Sequence, residues 1–343
     1  MSLQVGIIGG GGITDAHLMG YSRISELERT VVADPDETAL AARKRKFPHI
    51  ETTGNYRDIL SDPRIPLVDV CLPHHLHHAL AMEALSAGKD VFCEKPIATT
   101  LQDAREMVET ADRAGRKLYV SLNQMFTPAH RKAKEMIEAG KLGRLLMGVW
   151  KMIGNELERM GIEDHWKGDV RKAGGGALID TGMHAAYVML DLFGPAENVS
   201  AFARRLVVPH ANKGDDNSVA VIEFKSGAVA TYAQSYTVRS EQWNERKYVY
   251  GTEGSLHIDD TSPKAPLTYH SPENPEGRVI AVEEMDPLFA GTVAESVVHH
   301  MSCYLNDRPT LYSTQLAVDA LQLILALYCS SETGRAVLVA DIK

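Results

Sequence analysis

Residues 5–14 have the sequence VGIIGGGGIT, and this stretch decides the fold of the first part of the chain. A short apolar run that suits a buried strand leads directly into four glycines, and a helical pattern begins at Thr14. Gly9 and Gly11 occupy the first two positions of a G-x-G-x-x-G loop, whose third position is Thr14 in this sequence. Such a loop lets a pyrophosphate approach the backbone and directs helix N–H groups at it.

An acidic residue follows this loop at a suitable distance. Asp34 ends the next apolar run, about 20 residues beyond the glycines, where a carboxylate would hold a ribose 2′-hydroxyl. The alternative is that Asp34 only caps the helix that follows Pro35. Asp34 and Asp36 would repel a 2′-phosphate, so NAD is favoured over NADP. We therefore predict a dinucleotide site that includes Gly9, Gly11, Gly12, Ile13 and Asp34.

A basic run on the following helix is the main argument for NADP. Residues 43–46 have the sequence RKRK. They lie near the end of the predicted helix 36–47, roughly ten residues beyond the ribose position at Asp34. We interpret the run as a solvated helix face, which leaves NAD as the expected cofactor and NADP as the less favoured one.

The pattern of the remaining sequence predicts two domains. Residues 1–123 alternate short β-branched runs with helical patterns of roughly 10–15 residues, which is typical of a parallel sheet covered by helices on both faces. From residue 124 onward, long runs of period-2 alternation predict a mostly antiparallel sheet. The predicted fold class is α/β: an N-terminal Rossmann, doubly wound domain over 1–123, and a C-terminal α+β domain on a large open sheet over 124–343.

Composition narrows the class of protein. The 343 residues include 36 Lys and Arg against 45 Asp and Glu, a net charge of −9, which argues against a nucleic-acid partner. No apolar run approaches the length of roughly 18 residues that a membrane span needs. The first strand follows at once, with no basic region or cleavage site ahead of it, so we expect a cytoplasmic protein. The four cysteines show no paired spacing, and we expect them reduced.

Two further segments carry residues suited to chemistry. Glu94-Lys95-Pro96 follows a predicted strand, and ligands of open α/β sheets bind beyond the carboxyl ends of strands. A rigid or cis X-Pro bond would orient Lys95, although many such lysines are simply exposed in turns. Asp180 and His184 are four residues apart on the predicted helix 177–193 and would share one face. The alternative is an amphipathic helix with its polar face in water; three glycines just before it argue instead for a close backbone approach.

These segments resemble a known family. Residues 87–96 (AGKDVFCEKP), 72–77 (LPHHLH), 174–184 (GGGALIDTGMH) and 250–256 (YGTEGSL) resemble the motifs of the glucose–fructose oxidoreductase/inositol dehydrogenase/rhizopine catabolism (Gfo/Idh/MocA) family. The resemblance covers nearly the whole chain.

The resemblance implies a set of site residues. It implies Lys95, Asp180 and His184 around the reacting carbon. Our hypothesis is that His184 is the general acid/base, that Asp180 orients the substrate hydroxyl, and that Lys95 stabilises the developing alkoxide and can share the proton transfer. It implies further cofactor contacts from Pro73, His74, His77, Glu94 and Lys95. It also implies substrate contacts from Asn123, Trp166 and Lys167, although Trp166 could equally be a core anchor.

The sequence departs from the family pattern at a few positions. Leu72 and His74 replace Thr and Asn beside the cofactor, and Tyr187 replaces an aspartate that commonly follows the histidine. Met125 stands where many members have a basic residue, which disfavours an anionic substrate. These departures bear on the substrate more than on the fold.

The sequence therefore predicts an NAD(P)-dependent dehydrogenase that acts on a secondary hydroxyl of a sugar, polyol or related carbohydrate. Two alternatives remain open: a glycosidase that uses NAD for transient oxidation, and a non-catalytic NAD-binding sensor. His74 and His78 have metal-ligand spacing, but no carboxylate or thiol completes a set nearby in sequence, so no metal is expected. We expect a homodimer or homotetramer that assembles through the C-terminal sheet.

Overall fold

The structure is a computed structural model that describes residues 3–239, 243–262, 264, 266–285 and 288–343. Its contacts divide the chain into two compact units, Met1–Phe126 with Met285–Val318, and Thr127–Glu284 with Asp319–Lys343. The expected division at residue 123 did not include residues 285–318 in the first unit. No helix within the described ranges has the length and apolar character that a membrane crossing requires.

The strands follow in chain order as β1 Leu3–Ile8, β2 Leu27–Ala33, β3 Glu51–Thr53, β4 Leu67–Val70, β5 Asp90–Glu94, β6 Leu118–Ser121, β7 Leu145–Ile153, β8 Ala196–Arg204, β9 Asn217–Phe224, β10 Val229–Ser235, β11 Asn244–Gly251, β12 Ser255–Asp259, β13 Leu267–Ser271, β14 Asn274–Val279 and β15 Val337–Leu338. The helices are α1 Thr14–Tyr21, α2 Glu37–Lys46, α3 Arg57–Ser61, α4 His77–Ser86, α5 Leu101–Ala114, α6 Pro128–Glu138, α7 Leu157–Met160, α8 Val170–Ala173, α9 Ala177–Asp180, α10 Gly182–Phe193, α11 Leu288–Leu305 and α12 Thr314–Thr333.

The first unit is built on a parallel sheet of six strands in the order β3-β2-β1-β4-β5-β6. Every neighbouring pair of these strands is parallel. The chain therefore winds outward from β1 in both directions, which confirms the predicted doubly wound Rossmann sheet. The carboxyl ends of β1, β4 and β5 lie side by side, so the segments that follow these strands are brought to one edge of the sheet.

A late helix completes the first unit. α11 packs against α1, where a Cβ built on Gly20 would lie only 2.6 Å from the Val297 Cβ. Only glycine permits this approach of the two helices. α1 ends at Tyr21, because the chain turns at Ser22 and the backbone at Leu27 pairs with Leu3 in the sheet.

The second unit contains a nine-stranded sheet in the order β14-β13-β12-β11-β7-β10-β9-β8-β15. Its neighbouring strands are antiparallel except for β7 and β10. This confirms the predicted mostly antiparallel sheet. Side chains alternate between buried and exposed along β9, as expected for a sheet with one covered face. α10 lies on the covered face, where the Phe193 ring contacts the rings of Trp150 and Phe224.

The expected helix over residues 177–193 is divided in two. The His184 N–H donates to the Thr181 carbonyl, three residues back, at 3.0 Å, which tightens the turn between α9 and α10. Asp180 therefore ends one helix, and His184 lies in the first turn of the next.

Candidate functional site

The glycine loop after β1 is shaped to approach a ligand. Gly9 has a φ of +112°, and a Cβ there would lie 2.2 Å from the Cys71 carbonyl oxygen, so only glycine fits. The Thr14 hydroxyl donates to the Gly9 carbonyl at 2.7 Å and secures the turn. A Cβ added at Gly11 or Gly12 would meet nothing within 4 Å. These two positions, just ahead of Ile13 at the start of α1, leave open backbone of the kind that a pyrophosphate needs.

Asp34 lies against this loop. One carboxylate oxygen accepts the Gly10 N–H at 2.7 Å, and the other accepts the Asp36 N–H at 2.8 Å. Asp34 does not cap the helix that follows. Asp36 is the cap, because its carboxylate accepts the N–H groups of Thr38 and Ala39. Asp34 thus presents a carboxylate beside the glycines, in the place where a ribose hydroxyl would be held.

The interpretation of residues 43–46 as a solvated face is wrong for Arg43. Its side chain is only 11% exposed and pairs with Asp15 at 2.8 Å. Its guanidinium donates to the carbonyls of Gly11 at 2.6 Å and Gly10 at 3.3 Å. Asp15 compensates the positive charge of Arg43, which supports the choice of NAD over NADP.

The Glu94-Lys95-Pro96 turn is braced from within the first unit. The Lys95–Pro96 bond is cis, and the Lys95 backbone N–H donates to Glu94 Oε2 at 3.1 Å. The His77 ring is buried between the carbonyls of Pro96 (2.7 Å from Nδ1) and Leu72 (2.8 Å from Nε2). Burial lowers the pKa of His77. The contacts at both ring nitrogens fix the His77 ring against the turn.

The expected cofactor contacts of the first unit lie at one edge of its sheet. Pro73 and His74 follow β4, and the buried His74 ring lies 5.8 Å from that of His77. Glu94 is buried at the end of β5 and precedes Lys95. Asn123 is also buried, and its amide donates to the Thr292 hydroxyl on α11 at 2.9 Å.

In the second unit, two of the three glycines before α9 let the backbone lie close to other residues of the same unit. A Cβ at Gly176 would lie 1.9 Å from the Asp215 carbonyl oxygen, and one at Gly175 would lie 2.3 Å from the Tyr328 hydroxyl. The Asp215 carboxylate accepts the N–H groups of Gly176 and Leu178. Burial raises the pKa of Asp215. Asp215 therefore anchors the turn that leads to Asp180.

Asp180 is held by two side chains of its own unit. Its Oδ2 accepts the Tyr236 hydroxyl at 2.6 Å and lies 2.8 Å from the Lys167 ammonium. The Thr181 hydroxyl also bonds to Tyr236. Burial and Asp180 raise the pKa of Tyr236, so its hydroxyl stays protonated and donates. Both neighbours stabilise an ionised Asp180 carboxylate.

His184 continues the same buried stripe. Asp180 and His184 are only 6% and 7% exposed, so the alternative of a polar face in water is wrong for this helix. The His184 Nδ1 lies 2.7 Å from the hydroxyl of Tyr187, which is fully buried. A phenol can donate or accept, so Tyr187 fits either tautomer of the imidazole. Tyr187, which replaces an aspartate of the family pattern, thus contacts the His184 ring directly.

Trp166 and Lys167 occupy the segment before α8. The Trp166 ring stacks on that of His165, with 6.1 Å between centroids. Lys167 pairs with Asp180, as described above, so it acts on the Asp180 carboxylate in addition to any contact with substrate.

Sequence reasoning missed two residues that the structure brings to these groups. Tyr236 lies 56 residues beyond Asp180, and no local pattern marks it. His17 lies on α1 and bonds to Glu94, 77 residues away. The sequence offers one indication of its role: His17 is a polar residue one turn after Thr14, on the helix that follows the glycine loop.

Comparisons with known proteins identify the family of both parts of the chain. A model described as an oxidoreductase family with an NAD-binding Rossmann fold, GFO_IDH_MocA, matches residues 3–122, and the GFO/IDH/MocA C-terminal domain matches residues 130–257. The chain is 28% identical to the levoglucosan dehydrogenase of Pseudarthrobacter phenanthrenivorans, over 74% of this chain and 73% of that protein. It is 27% identical to the myo-inositol 2-dehydrogenase of Thermotoga maritima, over 75% of each.

The fold has a close counterpart among solved structures. Levoglucosan dehydrogenase in complex with NADH and levoglucosan superposes with a TM-score of 0.87 at 23% identity, over 99% of this chain and 100% of that one.

Proposed function

This chain belongs to the Gfo/Idh/MocA family of oxidoreductases, and we propose that it moves a hydride between NAD and a secondary hydroxyl of a sugar, an inositol-like polyol or a related carbohydrate. The observation that carries the proposal is the buried Asp180, held by Lys167 and Tyr236, with the buried His184 in the first turn of the next helix. An ionised carboxylate and an imidazole supply what a hydroxyl needs for orientation and proton transfer. Two relatives are named for levoglucosan and myo-inositol, which supports a polyhydroxylated substrate.

The first unit supplies the cofactor site in this proposal. NAD, when bound, provides the acceptor for the hydride. Gly11 and Gly12 offer open backbone to its pyrophosphate, and Asp34 offers a carboxylate to its ribose. Pro73, His74, His77, Glu94 and Lys95 flank the nicotinamide end, because they follow strands β4 and β5 at the edge where α/β sheets bind ligands.

We assign proton transfer to His184. The Tyr187 hydroxyl contacts Nδ1, and we assign the exchange of the proton with substrate to Nε2. During oxidation, Nδ1–H donates to Tyr187 and the unprotonated Nε2 takes the hydroxyl proton, which gives an imidazolium. During reduction, the same imidazolium returns the Nε2 proton to the substrate oxygen while Nδ1–H still donates to Tyr187.

We assign orientation and charge stabilisation to Asp180 and Lys95. Asp180 orients the substrate hydroxyl with an oxygen of the carboxylate that Lys167 and Tyr236 hold in place. Lys95 places a positive charge near the same oxygen as negative charge develops on it. Asn123, Trp166 and Lys167 are the proposed substrate contacts.

A panel assay tests the proposal. The purified protein is incubated with NAD and, separately, NADP against inositols, aldoses, anhydrosugars and sugar acids, and the absorbance of the reduced nicotinamide is followed. We expect net reduction of NAD with at least one neutral polyhydroxylated compound. Cleavage of a glycoside without net reduction would instead support the glycosidase, and NAD binding without turnover across the panel would support the sensor; either result overturns the dehydrogenase.

Cofactor preference is expected to depend on Asp34. In Asp34→Ser, the dissociation constant for NAD should rise by about tenfold, because a hydrogen bond from the ribose to a charged acceptor is lost. The constant for NADP should fall, because the repulsion of its 2′-phosphate is removed. Titration of nicotinamide fluorescence with NADH and NADPH measures both values. Glu37→Gln, which removes an exposed charge from the first turn of α2, is the control; equal effects of the two variants would refute the role of Asp34.

We propose that two copies of the chain pair through the uncovered face of the nine-stranded sheet. Phe202 and Val219 lie opposite each other on β8 and β9 and are 64% and 56% exposed, with Val221 and Val229 beside them on the same sheet. A contiguous apolar face of this kind marks an interface, and an identical face on a second copy matches it.

Sedimentation tests this assembly. We expect the mass of at least two chains for the native protein, and of one chain for a variant with Val219→Asp and Val221→Asp, because paired carboxylates cannot be buried without cost. Leu311→Asp, at an exposed leucine of the first unit, should leave the mass unchanged. A single-chain mass for the native protein would contradict the proposal.

A further inference from the structure

A buried histidine lies beneath the Glu94-Lys95-Pro96 turn. His17 has no exposed surface; its Nδ1 lies 2.7 Å from Asp69 Oδ2, and its Nε2 lies 3.0 Å from Glu94 Oε1. Ionised carboxylates only accept hydrogen bonds, so both ring nitrogens must donate. A neutral imidazole has one N–H and cannot do this. The contacts therefore describe an imidazolium between two carboxylates.

The other groups that face this ring favour the same charge state. Burial opposes a charge on His17, but Asp69 and the Cys71 side chain outweigh it and raise the pKa of His17 well above its ordinary value. Burial and Asp69 raise the pKa of Cys71 to about 12 and also raise that of Tyr21, so both stay neutral. The Tyr21 hydroxyl donates to Asp69 at 2.9 Å. Two negative groups thus face one positive ring.

A metal ion is a poor alternative for this cluster. His17, Asp69 and Cys71 offer ligand atoms within 4.8 Å of one another. However, a ligand nitrogen and oxygen that are each about 2.0 Å from a zinc ion lie more than about 3 Å apart in tetrahedral geometry. The observed 2.7 Å between His17 and Asp69 is a hydrogen-bond distance, and Cys71 keeps its proton.

The cluster reaches the proposed catalytic lysine through one carboxylate. Glu94 Oε1 bonds to His17, and Glu94 Oε2 accepts the backbone N–H of Lys95 at 3.1 Å. The orientation of Glu94 is therefore determined at both oxygens. The charge of His17 also offsets the charge of Glu94 directly beside Lys95. Burial raises the pKa of Glu94, but the bond and charge of His17 more than reverse this, so Glu94 stays ionised.

We propose that His17 is a positioning residue for hydride transfer: as an imidazolium between Asp69 and Glu94, it holds the Glu94 carboxylate that secures the Lys95 backbone and balances the charge next to the Lys95 ammonium. This inference rests on the proposed role of Lys95. It also gives α1 a second role. This helix begins at the glycine loop of the cofactor site, and through His17 it supports the turn that carries Lys95.

Spectroscopy on the native protein tests the charge state directly. In protein labelled with ¹⁵N at histidine, the His17 ring should remain doubly protonated at about pH 8, well above the usual histidine pKa of about 6.5. The signal is assigned by its loss in His17→Gln. His300 is a matched internal control: it is equally buried, its ring nitrogen bonds to the Ser296 carbonyl, and burial lowers its pKa to about 3. A neutral His17 ring at that pH would overturn the proposal, whatever the activity of any variant.

Kinetics test the link to Lys95. In His17→Gln, Glu94 loses the charged partner that fixes its Oε1, so the turn that carries Lys95 is held less firmly, and kcat should fall by about tenfold or more while KM changes little. Adding Glu94→Gln should restore part of kcat, because an amide can still accept the Lys95 N–H and carries no charge that needs a partner. His300→Gln should leave kcat and KM unchanged. A native kcat in His17→Gln, with NADH still bound by fluorescence, would overturn the proposal.

The outcome for His17 is separable from that for the proposed function. The proposed function fails if the panel shows no net reduction of NAD, and the role of Lys95 fails if Lys95→Met retains turnover. The charge state of His17 and the NADH titration are read without substrate and are independent of that result.

Discussion

Replacing Lys95 with methionine should lower kcat by about 10³-fold while the protein still binds NADH. Methionine keeps most of the length and apolar volume of the side chain, so the change removes mainly the positive charge. That charge is assigned to stabilise the oxygen on which negative charge develops during hydride transfer. Its loss therefore raises the barrier of the chemical step more than it weakens binding of the ground state. Steady-state kinetics on the best compound of the panel measure kcat, and quenching of fluorescence measures the affinity for NADH.

Lys132→Met is the matched control for this variant. Lys132 lies on α6 and pairs with Glu135 on the surface, so its loss should change neither value. The backbone N–H of residue 95 still donates to Glu94 after the substitution, so the turn is preserved. Turnover within about tenfold of the native value would show that Lys95 is not the group that stabilises the oxygen.

Replacing His184 with alanine should lower kcat by about 10²–10⁴-fold, which is the usual contribution of a general acid or base. The group that exchanges the hydroxyl proton is lost, while Asp180, with its contacts to Lys167 and Tyr236, remains. The pH profile of kcat should also lose the limb that reports the imidazole. Assays over a range of pH, with saturating NAD, measure both effects.

His49→Ala is the control for this second substitution, since His49 is exposed in the first unit and carries no assigned role. Tyr187→Phe separates the two nitrogens of His184: it removes the partner of Nδ1 and should shift the pH profile while retaining much of the turnover. A His184→Ala variant with native turnover and a native profile would refute the assignment of the proton to this ring.

Much of the first unit could be predicted because its signals are local. The apolar run of β1, the glycine loop and the start of α1 are contiguous in sequence, and each reflects backbone chemistry within a few residues. β3 was missed because it has only three residues, Glu51–Thr53, of which none is buried. It exists as a strand because β2 supplies hydrogen-bonding partners, and a short polar segment does not reveal that pairing.

The candidate site also contains residues that local sequence indicates and contacts that only the packing of distant segments supplies. Lys95, Asp180 and His184 were expected from residue type and from the family resemblance, because Lys95 follows a strand end and Asp180 and His184 are four residues apart. The contacts that fix the charge of Asp180 could not be predicted. Lys167 was expected as a substrate contact and not as the partner of Asp180, and Tyr236 meets Asp180 from a separate segment in which it is an ordinary core residue.

The sequence by itself determined the two sheet types, the cofactor loop and the residue types that are available for hydride and proton transfer, because periodicity and turn chemistry act over a few neighbouring positions. Only the tertiary structure decided which charges face one another. His17 reaches Asp69 and Glu94 across 52 and 77 residues, and Tyr236 reaches Asp180 across 56. Electrostatic interactions depend on distance and burial in space, and these quantities are set when strands and helices pack, not by the order of residues along the chain.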